Sequence, residues 1–187
     1  MTSSSPSSPD SQLRIAVLLL AAGEGSRLGT HPKALLHRDG RTLLEHFSSA
    51  IQGFSPVECI VVTGFHGEMI ESEIAKLNTF LTHPLKVIRN SSPEEGQSSS
   101  VRLGLESLDA DFDVLLVALS DQPEVGAKEI QELLDEYAKR EGGQEIILPI
   151  VDRRRGNPVL FSIKRSWMYW INRAWFVDLS WMPTPTK

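Results

Sequence analysis

The sequence predicts a three-layer α/β fold in which helices cover both faces of a mostly parallel sheet. Short apolar runs alternate along the chain with segments whose apolar residues recur at helical spacing. Two of these runs, residues 15–20 and 114–119, are apolar on both faces. Such strands are typical of the centre of a parallel sheet that helices cover on each side.

Five strands are predicted from the apolar runs. They cover residues 14–20, 57–63, 85–89, 113–119 and 145–151. A further short strand is expected at residues 159–161, after a glycine turn.

Four amphipathic helices are predicted between the strands, because apolar residues repeat there every three or four positions. The apolar stripes are Leu43, Leu44, Phe47, Ala50, Ile51 and Phe54; Met69, Ile70, Ile74 and Leu77; Val101, Leu105 and Leu108; and Ile130, Leu133, Leu134 and Tyr137. Each stripe can cover one part of the sheet.

The length and composition predict one folded domain, over residues 13–163. The chain has 187 residues, of which 41% are hydrophobic, which is enough for one well-buried core and short for two. Residues 1–12 are rich in Ser and Pro, and we expect a disordered tail there. All four tryptophans lie within residues 164–187. This atypical segment is interpreted as an aromatic helix packed on the sheet, an exposed association patch, or a tail that is not the natural continuation of the domain.

Charge and cysteine content exclude several classes of function. The formal net charge is −5, which argues against general affinity for nucleic acid or an acidic membrane. Cys59 is the only cysteine, so the chain can form no intrachain disulfide, and we expect a buried, inert thiol. The apolar run 15–22 is too short to cross a bilayer, and no basic residue precedes Arg14. A cytoplasmic location without nucleic-acid or membrane partners is expected.

A glycine-rich loop follows the first strand and has the composition of a phosphate-binding loop. Residues 20–29 read Leu-Ala-Ala-Gly-Glu-Gly-Ser-Arg-Leu-Gly, and Lys33 follows shortly afterwards. Glycines allow a tight turn that brings backbone N–H groups against an anion, while Arg27 and Lys33 add fixed positive charge. The spacing matches neither the P-loop nor the dinucleotide fingerprint. We expect the loop to bind a nucleoside triphosphate and to stabilise the departing pyrophosphate; the alternative is an ordinary glycine-rich turn.

Polar residues that follow the strands predict a single site. Ligands of open parallel sheets bind beyond the carboxyl ends of the strands, and the glycine loop, Gly64, Asn90 and Asp121 all fall there. Asp121 comes directly after a buried strand and suits Mg²⁺, which prefers carboxylate and phosphate oxygens. Considered alone, this aspartate would be assigned as a turn cap. Beside a triphosphate loop, we assign it to the metal.

Two further segments allow more than one interpretation. Ser98, Ser99 and Ser100 open a predicted helix; one of them is expected to cap it, and the group either serves only as a cap or also hydrogen-bonds a base and ribose. The basic run 153–155 is either a solvated face or a site for an anionic second substrate. The histidines show no metal-ligand spacing, and we assign them no chemistry.

These elements together resemble the molybdenum cofactor nucleotidyltransferases, and most closely the cytidylyltransferases that join CTP to molybdopterin. The resemblance covers about residues 13–163. It is carried by residues 20–29 with Pro-Lys-Ala-Leu-Leu at 32–36, by Asn90 and residues 96–104, by Ser-Asp-Gln-Pro at 120–123, and by Arg-Gly-Asn-Pro-Val at 155–159. The family also has an acidic motif near its C-terminus, for which Asp178 is the nearest candidate here.

The resemblance implies a Rossmann-like nucleotidyltransferase fold, CTP and molybdopterin as substrates, Mg²⁺ as the cofactor, and a molybdoenzyme that receives the product as a further partner. Arg27 and Lys33 are the implied catalytic residues, and Asp121 is the implied metal ligand. The implied nucleotide-binding residues are Ala21, Ala22, Gly23, Gly25, Ser26, Gly64, Ser98 and Ser99.

Two other functions remain open at this point. The first keeps the fold and the reaction but changes the substrates, for example to GTP with molybdopterin or CTP with a polyol phosphate. The second is a nucleotide-binding accessory protein without turnover, since the second acidic motif is missing.

Overall fold

The computed structural model describes residues 13–25, 31–141, 143–151 and 153–162. The predicted tail at 1–12 and the tryptophan-rich segment at 164–187 lie outside these residues, so both remain predictions. The predicted domain is described over most of its length.

A six-stranded sheet with the order β5-β4-β1-β6-β10-β7 forms the centre of the described chain. Its strands are β1 (Ile15–Ala21), β4 (Glu58–Thr63), β5 (Lys86–Arg89), β6 (Val114–Leu119), β7 (Ile146–Ile147) and β10 (Val159–Ser162). The pairs β5-β4, β4-β1 and β1-β6 are parallel, while β10 is antiparallel to both β6 and β7. The predicted mostly parallel sheet is therefore confirmed.

Four α-helices within the described ranges cover this sheet: α1 (Leu43–Gln52), α2 (Gly67–Leu77), α3 (Gln97–Glu106) and α4 (Ala127–Lys139). One buried cluster joins side chains of α1, α2 and α4 to alternate residues of β1, such as Val17 and Leu19. A second cluster joins α3 to the other face of the same strand, at Leu18 and Leu20. Because successive strand residues point to opposite faces, these two clusters are the two halves of a three-layer sandwich.

The predicted strand at 145–151 is wrong as a single element. Only Ile146–Ile147 pairs with the central sheet, whereas Ile150–Val151 (β8) forms a separate hairpin with Arg154–Arg155 (β9). Pro149 lies between the two parts and has no N–H for a ladder, so the chain leaves the sheet there. Its carbonyl accepts from Gly156 N at 2.8 Å and closes the hairpin.

The stripe predicted for α2 contains one error. The buried face of the helix runs through Ile70, Ile74 and Leu77, whereas Met69 is 47% exposed. Residues spaced by four and three positions share one face of a helix, and Met69 lies beside that face rather than on it.

A second small hairpin, β2 (His37–Arg38) with β3 (Arg41–Thr42), leads into α1, and Thr42 Oγ1 caps that helix by accepting from Glu45 N at 3.1 Å. The prediction that Cys59 is buried is confirmed: it is a free, buried cysteine, and burial raises its thiol pKa to about 12. None of the helices in the described part of the chain is long and apolar enough to span a membrane.

Candidate functional site

The carboxyl ends of β1 and β6 open into a cleft of about 320 Å³. These parallel strands end at the same edge of the sheet, as the sequence predicted. The described residues that line the cleft are Leu20, Ala21, Ala22, Gly23, Glu24, Gly25, Pro32, Lys33, Ala34, Phe65, Ile70, Pro93, Gly96, Gln97, Ser100, Leu119, Ser120 and Asp121. The cleft therefore combines an apolar lining, from residues such as Leu20 and Ile70, with the charged side chains of Glu24, Lys33 and Asp121.

The described start of the glycine loop, residues 22–25, continues from β1 and lies beside Lys33. Gly25 has φ +66°, a left-handed conformation that favours glycine over any residue with a side chain. A Cβ at this position would lie 3.5 Å from the His31 carbonyl oxygen and 3.7 Å from Lys33 Cγ. The stem of Lys33 thus packs beside Gly25, at the start of the loop that is predicted to bind phosphate.

Lys33 and Asp121 meet in the cleft, although they are 88 positions apart along the chain. Lys33 Nζ lies 3.0 Å from Asp121 Oδ2, and the two side chains are 38% and 33% exposed. A 3-10 turn after Pro32 carries the lysine, and the turn after β6 carries the aspartate. Both charged groups therefore remain accessible to an incoming ligand.

Arg38 ties the segment after Lys33 to the segment after Asp121. Its guanidinium donates to the Pro123 carbonyl oxygen and, at 3.3 Å, to Glu124. His46 Nε2 in turn donates to the Arg38 carbonyl oxygen at 2.7 Å. The segment that follows Lys33 therefore contacts the segment that follows Asp121, and this contact helps to hold the two charged side chains together.

The remaining predicted site residues fall into two groups. Ser26 and Arg27 lie outside the described residues, so their roles remain predictions. Gly64, Ser98 and Ser99 are described but are not among the residues that line the cleft. Their predicted contact with a nucleotide also remains a prediction.

Gly64 contributes through close packing against the start of the glycine loop. A Cβ at this position would lie 2.8 Å from both Ala22 Cβ and the Ala22 carbonyl oxygen, and 2.9 Å from Pro93 Cβ. Only glycine lets the end of β4 approach the end of β1 this closely. Gly64 thus sets the position of Ala22 and Pro93, both of which line the cleft.

Asn90 organises the serine-rich segment that leads into α3. Its Nδ2 donates to Ser99 Oγ and Ser100 Oγ, each at 2.9 Å, and its Oδ1 accepts from Ser92 N at 2.9 Å. The side-chain cap expected from one of the serines is not made, because the N-cap residue is Gly96. Ser99 Oγ instead donates to the Gly96 carbonyl oxygen at 2.8 Å.

A charged network at the ends of β4 and β5 supports the same edge of the sheet. Glu71 Oε1 accepts from Thr63 Oγ1 at 2.7 Å and from Arg89 Nε at 2.8 Å, while its Oε2 accepts from Arg89 at 2.7 Å. The Arg89 hydrogen bonds, more than the Thr63 hydroxyl, hold the pKa of Glu71 below its ordinary value. This network fixes the first turns of α2 to the two strands.

Sequence reasoning missed Phe65, His66 and Gln97. Phe65 and Gln97 line the cleft, and His66 Nε2 donates to the Glu24 carbonyl oxygen at 2.8 Å. The run Gly64-Phe-His-Gly67, which directly follows a buried strand, was a signal for a structured turn at the site. It did not reveal that the turn contacts the glycine loop.

The basic run 153–155 lies at the same edge of the sheet as the cleft. Val159 pairs with Val117 near the carboxyl end of β6, so the hairpin that precedes β10 lies beyond that end. Arg153 and Arg154 are exposed in this hairpin. Both interpretations of this run, as a solvated face and as a site for an anionic substrate, remain predictions.

The residues present fit a magnesium ion that arrives with a nucleotide. No three His, Cys, Asp or Glu side chains in the described ranges come together as a complete metal site. Mg²⁺ commonly binds through one or two carboxylates together with substrate phosphates and water. Asp121 offers one accessible carboxylate beside the loop that is predicted to bind phosphate, which meets that requirement.

Solved structures of other proteins share this fold. Rv0371c of Mycobacterium tuberculosis H37Rv superposes with a TM-score of 0.66 at 21% identity, over 87% of this chain and 77% of that one. A nucleotidyl transferase from Methanothermobacter thermautotroptrophicus gives 0.62 at 26% identity, over 80% and 71%. The first likeness shows the fold alone: an α/β nucleotidyltransferase fold with a mostly parallel six-stranded sheet.

Curated relatives match a similar part of the chain. The bifunctional protein GlmU of Mycobacterium sp. strain KMS is 35% identical over 136 residues, which is 72% of this chain and 26% of that protein. GlmU of Rhodococcus opacus strain B4 is 32% identical over 127 residues, or 67% and 25%. The chain therefore spans about a quarter of the length of these relatives.

The family itself is shown by a match over most of the chain. The model described as the MobA-like NTP transferase domain matches residues 17–175, from within β1 to beyond β10. The matched range contains the glycine loop, Lys33 and Asp121. The chain belongs to the MobA-like NTP transferase domain family.

Proposed function

We propose that this chain transfers CMP from CTP to molybdopterin and releases pyrophosphate. The ion pair between Lys33 and Asp121 beside the glycine loop carries this proposal. On this proposal, the triphosphate lies against Lys33, and Asp121 supplies the carboxylate that binds the metal. Membership of the NTP transferase family supports the reaction type.

In the proposed reaction, a terminal phosphate oxygen of the acceptor attacks the α-phosphorus of CTP in line. A new P–O bond forms, the bond between the α-phosphorus and the bridging oxygen breaks, and both electrons of that bond leave with pyrophosphate. The glycine-loop N–H groups orient the triphosphate, and Lys33 stabilises the charge that develops on the leaving group. No covalent enzyme intermediate is needed.

The proposed cofactor is Mg²⁺, held by Asp121 and by phosphate oxygens of the substrate. When bound, it would neutralise phosphate charge and polarise the α-phosphate. A related crystal structure, of Rv0371c from M. tuberculosis, is a complex with manganese, which supports divalent-cation binding in this fold. Arg27 is proposed as a second cation for the triphosphate. A molybdoenzyme that receives the product is proposed as a partner.

A second candidate is the same reaction with another phosphorylated acceptor. Relatives of the same fold include an inositol-1-phosphate CTP transferase from T. maritima and a 4-diphosphocytidyl-2C-methyl-D-erythritol synthase from Anaerococcus prevotii. Both names concern cytidylyl compounds, but the two acceptors differ. This diversity favours CTP more strongly than it favours any one acceptor.

Pyrophosphate release tests the proposal. The full chain is assayed with CTP, GTP or ATP, each paired with molybdopterin, inositol 1-phosphate, 2C-methylerythritol 4-phosphate or no acceptor, with Mg²⁺ or with EDTA. We expect release with CTP and molybdopterin that EDTA abolishes. Release with CTP and another acceptor would favour the second candidate. Nucleotide binding without release for every pair would contradict both and indicate an accessory protein.

A further inference from the structure

An exposed aromatic side chain lines the same cleft as the ion pair. Phe65 is 45% exposed and lines the cleft. Phe80 is 61% exposed but does not belong to the lining. Of the large hydrophobic side chains exposed in the described residues, Phe65 is the one in contact with the cleft. Keeping an aromatic ring in water is unfavourable, so a ligand that covers this ring would gain free energy.

The turn that carries Phe65 is fixed on both sides. On one side Gly64 packs against Ala22, and on the other His66 Nε2 donates to the Glu24 carbonyl oxygen at 2.8 Å. Gly67 N also donates to the Gly64 carbonyl oxygen at 2.9 Å, which closes the turn. The backbone of Phe65 therefore has a defined position relative to the glycine loop.

The geometry points to Phe65 as the residue on which the nucleobase of the bound nucleotide stacks. This inference rests on the proposed function, because it requires a nucleotide in the cleft. The triphosphate and the base belong to one molecule, and the turn of Phe65 is tied to the loop proposed to hold that triphosphate. A nucleobase offers a flat π-face that gains from an aromatic partner.

Groups that can read the edge of the base line the same cleft. Gln97 is the first residue of α3, and its side-chain amide offers both a donor and an acceptor. Ser100, three positions later in the same helix, also lines the cleft. Since Asn90 Nδ2 donates to Ser100 Oγ, the hydroxyl proton of Ser100 is available to donate to a ligand. Phe65 would thus hold the face of the base, while α3 contacts its edge.

Binding measurements on the full chain test this assignment. We expect Phe65→Ala to weaken CTP binding about tenfold, the loss typical of one stacked base, and Phe65→Tyr to retain most of the affinity. Binding of inorganic tripolyphosphate, which has no base, should be unchanged in both variants. The matched control Phe80→Ala, an exposed aromatic outside the cleft, should bind CTP as the wild type does.

Each other outcome overturns the assignment. Unchanged CTP affinity in Phe65→Ala would refute stacking, and an equal loss of CTP and tripolyphosphate would mean that the loop was disturbed instead. A loss of molybdopterin binding with CTP binding intact would assign Phe65 to the ring of the acceptor. A wild-type chain that binds no nucleoside triphosphate would contradict the proposed function as well, whereas tight wild-type binding with an unaffected variant would contradict only this inference.

Discussion

At the scale of single residues, the ion pair in the cleft is suited to exchange its partners for a substrate. Lys33 and Asp121 are both about one-third exposed, and pairs of this kind typically contribute only about 0–1 kcal/mol. Separating them therefore costs little. On our proposal, Lys33 then turns to a phosphate, while Asp121 becomes free for a cation, so each group gains a more strongly charged partner.

A second single-residue feature is the close approach at Gly64. We expect Gly64→Ala to destabilise the fold by about 1–3 kcal/mol, the usual cost of overpacking. The new Cβ would lie 2.8 Å from the Ala22 backbone and side chain, so the end of β1 must move. Because Ala22 lines the cleft, nucleotide affinity should fall as well. Urea denaturation and CTP binding measure the two effects.

Gly53 offers the matched control for this substitution. A Cβ there would meet only the Ala50 carbonyl oxygen at 3.8 Å, which is an ordinary contact, and its φ of −62° suits any residue. Gly53→Ala should leave stability unchanged or slightly raised. Equal stability of the two variants would show that the contact between Gly64 and Ala22 has no energetic importance.

At the scale of elements, the network of Thr63, Glu71 and Arg89 joins α2 to β4 and β5. Arg89 binds both oxygens of Glu71, a bidentate geometry that is stronger than a single contact. The turn before α2 carries Phe65 and His66. The network therefore holds α2 in place, together with the preceding turn that contacts the glycine loop.

This network predicts a pH dependence of stability. Glu71 has a folded-state pKa below its ordinary value of 4.5, mainly because Arg89 donates to it. A depressed carboxyl pKa contributes stability above the unfolded value and loses it as the pH falls through the folded value. We expect Glu71→Gln to lower the free energy of unfolding at pH 7, with a difference that shrinks below about pH 4.5.

Urea denaturation of both proteins at pH 7 and pH 3.5 measures this difference. Glu132→Gln is the matched control, because its carboxyl lies on α4 with the side chain 63% exposed and should contribute little at either pH. If Glu71→Gln lowers the free energy of unfolding equally at both pH values, the contribution of Glu71 to stability does not depend on its charge.

Elements were predicted well where the pattern was long and apolar. The strands at β1 and β6 are buried on both faces, and the four helical stripes each fall within or beside a real helix. The error at 145–151 occurred where Pro149 interrupts an apolar run. Periodicity shows burial, but it cannot show which of two neighbouring sheets a two-residue strand joins.

At the scale of the whole molecule, the topology of the sheet creates the site. Adjacent parallel pairing of β1 with β6 brings together the loops that follow them, and these loops carry Lys33 and Asp121. This part of the site was predictable, because loops after parallel strands share one edge. The cross-contacts were not predictable: His66 with Glu24, Gly64 with Ala22, and Arg38 with the turn after Asp121 depend on side-chain packing between distant segments.

Pyrophosphate release by Lys33→Ala, compared with the wild type in the presence of CTP, molybdopterin and Mg²⁺, tests the central claim most directly. Lys76→Ala is the control, since that side chain is 71% exposed on α2 and pairs with Glu73 in its own helix. We predict that Lys33→Ala loses about 10²–10³-fold in rate, the loss typical of removing a group that stabilises transition-state charge, while its unfolding curve and the activity of Lys76→Ala stay near those of the wild type. Near-normal release by Lys33→Ala would contradict the assignment of this cleft as the nucleotidyl-transfer site.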